Sequence, residues 1–280
     1  MKSIDPHKIA DYIHEVAQEK IVPRFRNLEQ HEIDTKTGPN DLVTIADQEA
    51  EAELEKIFKD ILPGSIVVGE EGVSAGAASI DDLVNQSDPT WIIDPVDGTK
   101  NFAEGRPVFG CMAALVHKGQ TLQGWIYDIP GARMGIAESS AGCEINGEKK
   151  TLEKRNPEMP FSEMKAYIAR GFIPKDLRAE ILPIIEKFSE TVALHCCAHE
   201  YLNLVEDLHD LSFYKRMKPW DHLPGLLLYR EAGGYSRSWT GKEHRPEDDW
   251  SGILNAPDEI LWERLHALLL PPKLQHLIER

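Results

Sequence analysis

Apolar residues at Ile9, Tyr12, Ile13, Val16 and Ala17 follow the i, i+3, i+4, i+7 rhythm of a helix with one buried face, running from Pro6 to about Phe25. Pro23 should end or kink it. The polar stretch Thr35 to Asn40, with Gly38 and Pro39, reads as a loop. Thr44 followed by Asp47 then resembles a capping box opening a second helix, with Leu54, Ile57, Phe58 and Ile61 as its apolar stripe. Pro63-Gly64 closes that helix. The β-branched run Ser65 to Gly69 predicts a strand delivering Glu70 and Glu71 at its end, and Thr90 to Ile93 predicts another delivering Asp94. Residues 72–89, small and polar without a clear period, read as a loop or lid.

Phe109 to His117, Thr121 to Ile129 and Arg133 to Glu138 predict an antiparallel meander turning at Lys118-Gly119 and Pro130-Gly131. A helix near 176–188, a strand from about Thr191, a helix from about Ala198, a strand Leu211 to Lys215 and a helix opening at Asp221 follow. Gly233-Gly234 ends the last. Because helices and strands alternate in mixed order, the chain reads as a layered α+β fold. Two lobes sharing one core are expected, residues 1–150 with most candidate ligands and 151–280 with Asp221 and the substrate contacts.

The 280 residues suffice for such a core. Hydrophobic residues at 41% and charged residues at 28% indicate neither disorder nor a fibre. The formal charge of −16 should repel nucleic acid and anionic membranes, so neither is expected as a partner. It also means that an anionic substrate would need a local cation to reverse the field. Cys111, Cys143, Cys196 and Cys197 form no CxxC pair and suggest no zinc site or disulfide framework. With no signal-peptide core and no membrane-length apolar run, a cytoplasmic location is expected.

The chemistry concentrates in Trp91-Ile92-Ile93-Asp94-Pro95-Val96-Asp97-Gly98-Thr99, where an apolar strand ends in two carboxylates with Pro95 between them. Hard cations such as Mg²⁺ take oxygen ligands in fixed geometry, which a proline-stiffened turn suits. A helix starting at Gly98 would aim free N–H groups at the same point and cradle a phosphate. Taken singly, these residues have blander readings: Asp97-Gly98 is a turn, Asp221 a helix N-cap, Glu70 and Glu71 solvated carboxylates, and Asp41 a loop aspartate. Together they place carboxylates at strand ends and helix starts, where ligands sit.

Residues 41–47, 69–71, 91–102 and 220–234 resemble the four signature blocks of the inositol monophosphatase family, in order and spacing across most of the chain. The resemblance implies a layered α-β-α-β-α sandwich, a homodimer, two or three Mg²⁺ ions per site, and hydrolysis of a small soluble phosphate monoester by a metal-activated water. Glu70, Asp94, the Val96 carbonyl and Thr99 match positions around a first ion, and Asp94, Asp97 and Asp221 those around a second. Asp47 matches a partner of Thr99 that helps orient the water, and Gly98 and Thr99 the phosphate-contacting backbone. Inositol 1-phosphate is the default substrate. Histidinol phosphate, fructose 1,6-bisphosphate, 3′-phosphoadenosine 5′-phosphate and NADP are the superfamily alternatives. A metal and phosphate binder without turnover is the reading from another class.

Two regions depart from the family pattern. Inositol-hydrolysing members resemble one another in placing a glutamate seven residues before the Trp-Asp aspartate, where this chain has Tyr214. The basic run Tyr214-Lys215-Arg216-Met217-Lys218 around it could greet a second anionic group, or be a solvated strand end. Cys197-Ala198-His199-Glu200-Tyr201 lies where small residues are usual, making His199 and Glu200 candidate substrate contacts. Lys100 could add positive potential near a phosphate.

Overall fold

The computed structural model describes residues 4–38, 41–83, 88–246 and 252–274. Asp5 caps helix α1 (Pro6–Val16) by accepting the His7 N–H, and the chain stays helical through a π-turn at Ala17–Ile21 and a 3₁₀ turn at Val22–Arg24 that contains Pro23. The polar stretch expected as a loop is instead a hairpin of β1 (Ile33–Gly38) and β2 (Asp41–Thr44), with residues 39 and 40 outside the described residues. Lacking a core-facing alternation, it left no strand pattern to read. The capping box is present: Thr44 and Asp47 open α2 (Ile45–Ile61) by exchanging side-chain and backbone hydrogen bonds.

A seven-stranded sheet follows in sequence order: β3 (Ile66–Gly69), β4 (Thr90–Asp97), β5 (Gly110–His117), β6 (Gln120–Asp128), β7 (Arg133–Glu138), β8 (Gly142–Ile145) and β9 (Glu148–Lys150). Only β3 and β4 are parallel; the expected meander β5–β7 extends through two further short strands. Between β3 and β4 lie a short helix α3 (Glu70–Ser74) and a 3₁₀ turn Ile80–Leu83 whose Leu83 is buried, while residues 84–87 fall outside the described residues. Helix α4 (Thr99–Ala103) follows β4 directly.

The second half builds a five-stranded sheet in the order β11 (Glu190–Val192), β10 (Lys165–Ile168), β12 (Leu211–Tyr214), β14 (Ile253–Ala256), β13 (Tyr235–Ser238). Its helices are α5 (Lys175–Ile185), α6 (Cys197–Val205), α7 (Pro219–Glu231) and α8 (Glu259–Leu269). Of these elements, β10, β13, β14 and α8 were not predicted.

Alternation along the strands sorts the layers. Trp91 and Ile93 of β4 pack with α1 and α2, whereas Ile92 faces the opposite side with Val68, Ala114, Val116 and α7 residues Trp220 and Leu223. Covered on both faces, β4 and β5 read as continuous apolar runs. Helices α6 and α7 fill the space between the sheets, where Leu226, Leu227 and Leu228 meet Ile126 of one sheet and Ile253 of the other. Helices α5 and α8 cover the outer face of the small sheet. The layers are therefore α-β-α-β-α, as expected. Since α7 is buried nearly all round, it carries no amphipathic stripe.

Candidate active site

Parallel pairing of β3 with β4 places Gly69 opposite Ile93, so Glu70, which opens α3, and Asp94, still within β4, follow at the same level of the sheet. The β4–β5 register then shifts between Asp94 and Asp97, freeing this turn from the regular ladder. Gly98 follows at φ +86°, and a Cβ there would lie 2.9 Å from the Val108 carbonyl oxygen, so both conformation and space require glycine. Asp221 enters from the first turn of α7. Glu70, Asp94 and Asp221 bring carboxylate oxygens within 4.8 Å of one another.

Asp94 is buried at the centre of this concentration of negative charge, with Glu70 and Asp221 half-buried beside it. Desolvation, then repulsion from Glu70 and its neighbours, pushes the Asp94 and Asp221 carboxyls well above the usual range. Asp97 is also raised by burial, although its Oδ2 accepts the Ala198 N–H at 2.6 Å from the start of α6. The Asp94 Oδ1 is buried with no hydrogen-bond partner among the described residues. An orphaned carboxylate oxygen among hard oxygen donors is what a divalent cation such as Mg²⁺ would satisfy. Cys197 and His222 also approach Asp221, but both ring nitrogens of His222 are engaged, at 3.0 Å by Tyr201 Oη and 2.9 Å by the Arg216 carbonyl. Burial keeps the Cys197 thiol protonated, so neither competes as a ligand for a hard ion.

Beside the cluster, Thr99 Oγ1 lies 3.0 Å from Asp47 Oδ1 and 2.9 Å from the Val96 carbonyl oxygen. The other Asp47 oxygen accepts from the N–H and hydroxyl of Thr44. Burial outweighs those bonds and pushes the Asp47 carboxyl up to about 7, where it can exchange a proton near neutrality.

Two further residues, neither part of the sequence motifs, shape the site. Lys36 of β1 reaches Glu70 Oε1 at 2.8 Å and Glu71 Oε1 at 2.6 Å, the charge partner of the acidic pair. Glu51 of α2 accepts the Glu71 N–H at 2.8 Å and the Gly72 N–H at 2.7 Å, tying down the start of α3.

The cluster opens into a cavity of about 450 Å³ that also contains Gly98, Thr99, Lys100, Glu200, Tyr214 and Lys215. Tyr214 donates its hydroxyl to Glu200 Oε2 at 2.7 Å, and Leu194 donates its N–H to Oε1 at 2.8 Å; burial raises that carboxyl to about 7. His199 is not brought to the cavity, contrary to expectation. Consecutive helix residues point about 100° apart, and His199 Nε2 turns away to Asp128 at 3.0 Å and the Phe109 carbonyl at 3.2 Å. Arg133 joins Asp128 to Asn203 and Glu206, so this corner braces α6 against the sheet. A second cavity of similar volume, beside Lys118 and Arg230, contains none of the clustered carboxylates.

The sequence pattern of the Inositol monophosphatase family matches residues 7–275. The chain is 29% identical to the inositol-1-monophosphatase of Bacillus subtilis, over 84% of this chain and 88% of that protein. It is 28% identical to a fructose-1,6-bisphosphatase/inositol-1-monophosphatase of Thermotoga maritima, over 75% and 77% of the two chains. Among solved structures, a Thermotoga maritima IMPase superposes with a TM-score of 0.79 at 22% identity, covering 97% of this chain and 98% of that one, which shows the shared fold.

Proposed function

This chain belongs to the inositol monophosphatase family, and from that premise we propose that it is a Mg²⁺-dependent phosphatase of a small soluble phosphate monoester. Inositol 1-phosphate is the reference substrate, with histidinol phosphate, fructose 1,6-bisphosphate, 3′-phosphoadenosine 5′-phosphate and NADP as its competitors. The observation that carries the proposal is the cluster of Glu70, Asp94 and Asp221 around the buried Asp94 Oδ1, which has no hydrogen-bond partner among the described residues. Glu70, Asp94, the Val96 carbonyl and Thr99 would hold one ion, and Asp94, Asp97 and Asp221 a second. Bound there, Mg²⁺ would supply Lewis acidity and make water a better nucleophile at neutral pH.

The chain's own residues do the rest. Gly98 and Thr99 present backbone at the cluster, where a phosphoryl group would be positioned. Thr99 and Asp47 form a hydroxyl–carboxylate pair able to orient a water and take its proton. Water adds to phosphorus as the ester P–O bond breaks, the proton taken from the water passes to the leaving oxygen, and an alcohol and inorganic phosphate are released.

A cytoplasmic homodimer is part of this proposal; no helix among the described residues is long and apolar enough to cross a membrane. Size-exclusion chromatography with light scattering checks the dimer. The activity is tested by phosphate release from the five substrates with Mg²⁺ and with EDTA, using wild type and Asp94→Asn. Metal-dependent release by wild type alone is expected; equal release by Asp94→Asn would refute the assignment.

A further inference from the structure

The second cavity, of about 450 Å³, lies behind the helix that carries Asp221. Asp221 opens into the active-site cavity, whereas Leu223, Leu226, Leu227 and Arg230 of the same α7 line this one. Residues two apart on a helix point to nearly opposite sides, so α7 separates the two cavities. The walls of the second carry more positive than negative charge. Lys118 is exposed on the turn between β5 and β6, Arg230 lies deeper, and Arg245 comes from the loop after β13, against the carboxylates of Glu231 and Glu243. Glu231 is already committed: its two oxygens accept the Ser140 N–H at 2.8 Å and the Gly142 N–H at 2.9 Å. In a chain of net charge −16 this is a local reversal of sign.

Two groups in this cavity are poorly satisfied by the protein. Arg230 is half-buried, and the ion pair it makes among the described residues, with Glu243, spans 3.7 Å, beyond hydrogen-bond distance. Burial works against its charge, and Glu243 and Glu231 offset only part of that. Ser236 of β13 is 4% exposed, and its Oγ has no hydrogen-bond partner among the described residues. The preceding Tyr235 packs with Trp262 of α8 on the outer face of the small sheet, so alternation turns Ser236 inward to the cavity. A water could satisfy the hydroxyl but would leave the guanidinium without a close counter-charge. A tetrahedral oxyanion answers both.

We propose that this cavity is a second ligand site, which binds the phosphate group of a small molecule at Arg230 and Ser236 independently of the metal site. The guanidinium supplies charge-assisted hydrogen bonds, the Ser236 hydroxyl adds another, and Lys118 attracts the anion from outside. The volume leaves room for an organic remainder over Leu223 and Leu226.

The test is calorimetric titration of the full chain in EDTA, at fixed ionic strength, with inorganic phosphate and with glycerol 3-phosphate. Without metal, the cluster of Glu70, Asp94 and Asp221 offers an anion no cation to meet. Both probes should bind; tighter binding of glycerol 3-phosphate assigns the site to organic phosphates, and tighter binding of inorganic phosphate to the free ion. Arg230→Gln should weaken either probe at least about tenfold and Ser236→Ala about fivefold, the scale of a charged and a neutral hydrogen bond. Glu243→Gln removes the competing carboxylate and should tighten binding about threefold. This variant decides the matter should Arg230→Gln fail to fold. Lys215→Gln, in the active-site cavity, should change nothing. Absence of binding in EDTA overturns the proposal. Binding indifferent to both Arg230→Gln and Glu243→Gln is an adventitious ion only, and binding lost in Lys215→Gln belongs to the active-site cavity; either result overturns it as well.

Discussion

Replacing Glu51 by glutamine should weaken Mg²⁺ binding although Glu51 faces no ligand position itself. Its side chain lies one turn beyond Asp47 on α2, 6% exposed, and its two oxygens accept the Glu71 and Gly72 N–H groups at 2.8 and 2.7 Å. Those groups belong to the first turn of α3, the helix that starts with Glu70. A five-residue helix has little internal bonding, so Glu51 supplies much of what fixes the direction of Glu70. Burial pushes the Glu51 carboxyl up to about 7, and at pH 8, where it is ionised, each hydrogen bond to it is worth about 1.5–3 kcal/mol. Glutamine keeps one acceptor and turns an NH₂ toward the other N–H, so about 2–4 kcal/mol of local order is lost.

Transmitted in part to Glu70, this loss should raise the Mg²⁺ dissociation constant about 10- to 100-fold, the range found for residues that orient ligands. At saturating Mg²⁺, kcat should stay within about fivefold of wild type, because the reacting groups are retained. Gly69→Ala should act through the same contact, since a Cβ there would fall 2.2–2.5 Å from the Glu51 carboxyl atoms. In a Glu51→Ala background the same alanine should cost much less, giving a non-additive cycle. The assay is calorimetric titration of Mg²⁺ into metal-free protein, with melting curves in EDTA alongside. A Glu51→Gln protein that melts earlier in EDTA but binds Mg²⁺ with wild-type affinity would refute the reasoning.

Thr99→Ala removes the hydroxyl between Asp47 and the Val96 carbonyl and should lower kcat about 10²- to 10⁴-fold, while Thr99→Ser keeps most activity; single-turnover phosphate release at saturating Mg²⁺ distinguishes them, and equal rates for both variants would exclude the Thr99–Asp47 proton path. The metal-free protein should lose stability as pH rises. Asp47, raised to about 7, and Asp94 and Asp221, raised well above the carboxylate range, hold protons in the folded state that the unfolded chain releases above about pH 4. Mg²⁺ must displace the protons on its ligands Asp94 and Asp221, so its affinity should climb with pH, about tenfold per pH unit for each proton displaced. Melting curves at pH 5.5 and 8 with Mg²⁺ or EDTA should therefore diverge as pH rises, and a constant gap would contradict the buried-cluster electrostatics.

How much of this was legible in the sequence depended on the distance over which each feature is made. The turn Asp94-Pro95-Val96-Asp97-Gly98-Thr99 is local, and the capping box of Thr44 and Asp47 is completed within four residues, so both could be read directly. Helix α7 showed its ends, Asp221 and Gly233-Gly234, but not its central place between the sheets, because a helix buried on every side has no stripe to reveal its neighbours. The four-residue strands β10, β13 and β14 are too short for alternation to stand out from the surrounding chain. Lys36 was lost with its hairpin, since its meaning comes from Glu70 and Glu71, more than thirty positions away.

Glu51 is different, because a signal was present. Positions 47, 51, 54 and 58 share one face of α2, where Leu54 and Phe58 are buried core residues. A carboxylate on an apolar stripe is not a solvated charge; its desolvation has to be offset by partners brought from elsewhere in the fold. Asp47 and Glu51 are two such charges one turn apart, and their partners lie on the two segments that carry the ligands: Asp47 meets Thr99 after β4, and Glu51 meets the backbone after β3. Helix α2 therefore sets the spacing between the Glu70 and Asp94 segments. Acidic residues at core positions of an amphipathic pattern are thus a sequence-level pointer to the frame of a metal site.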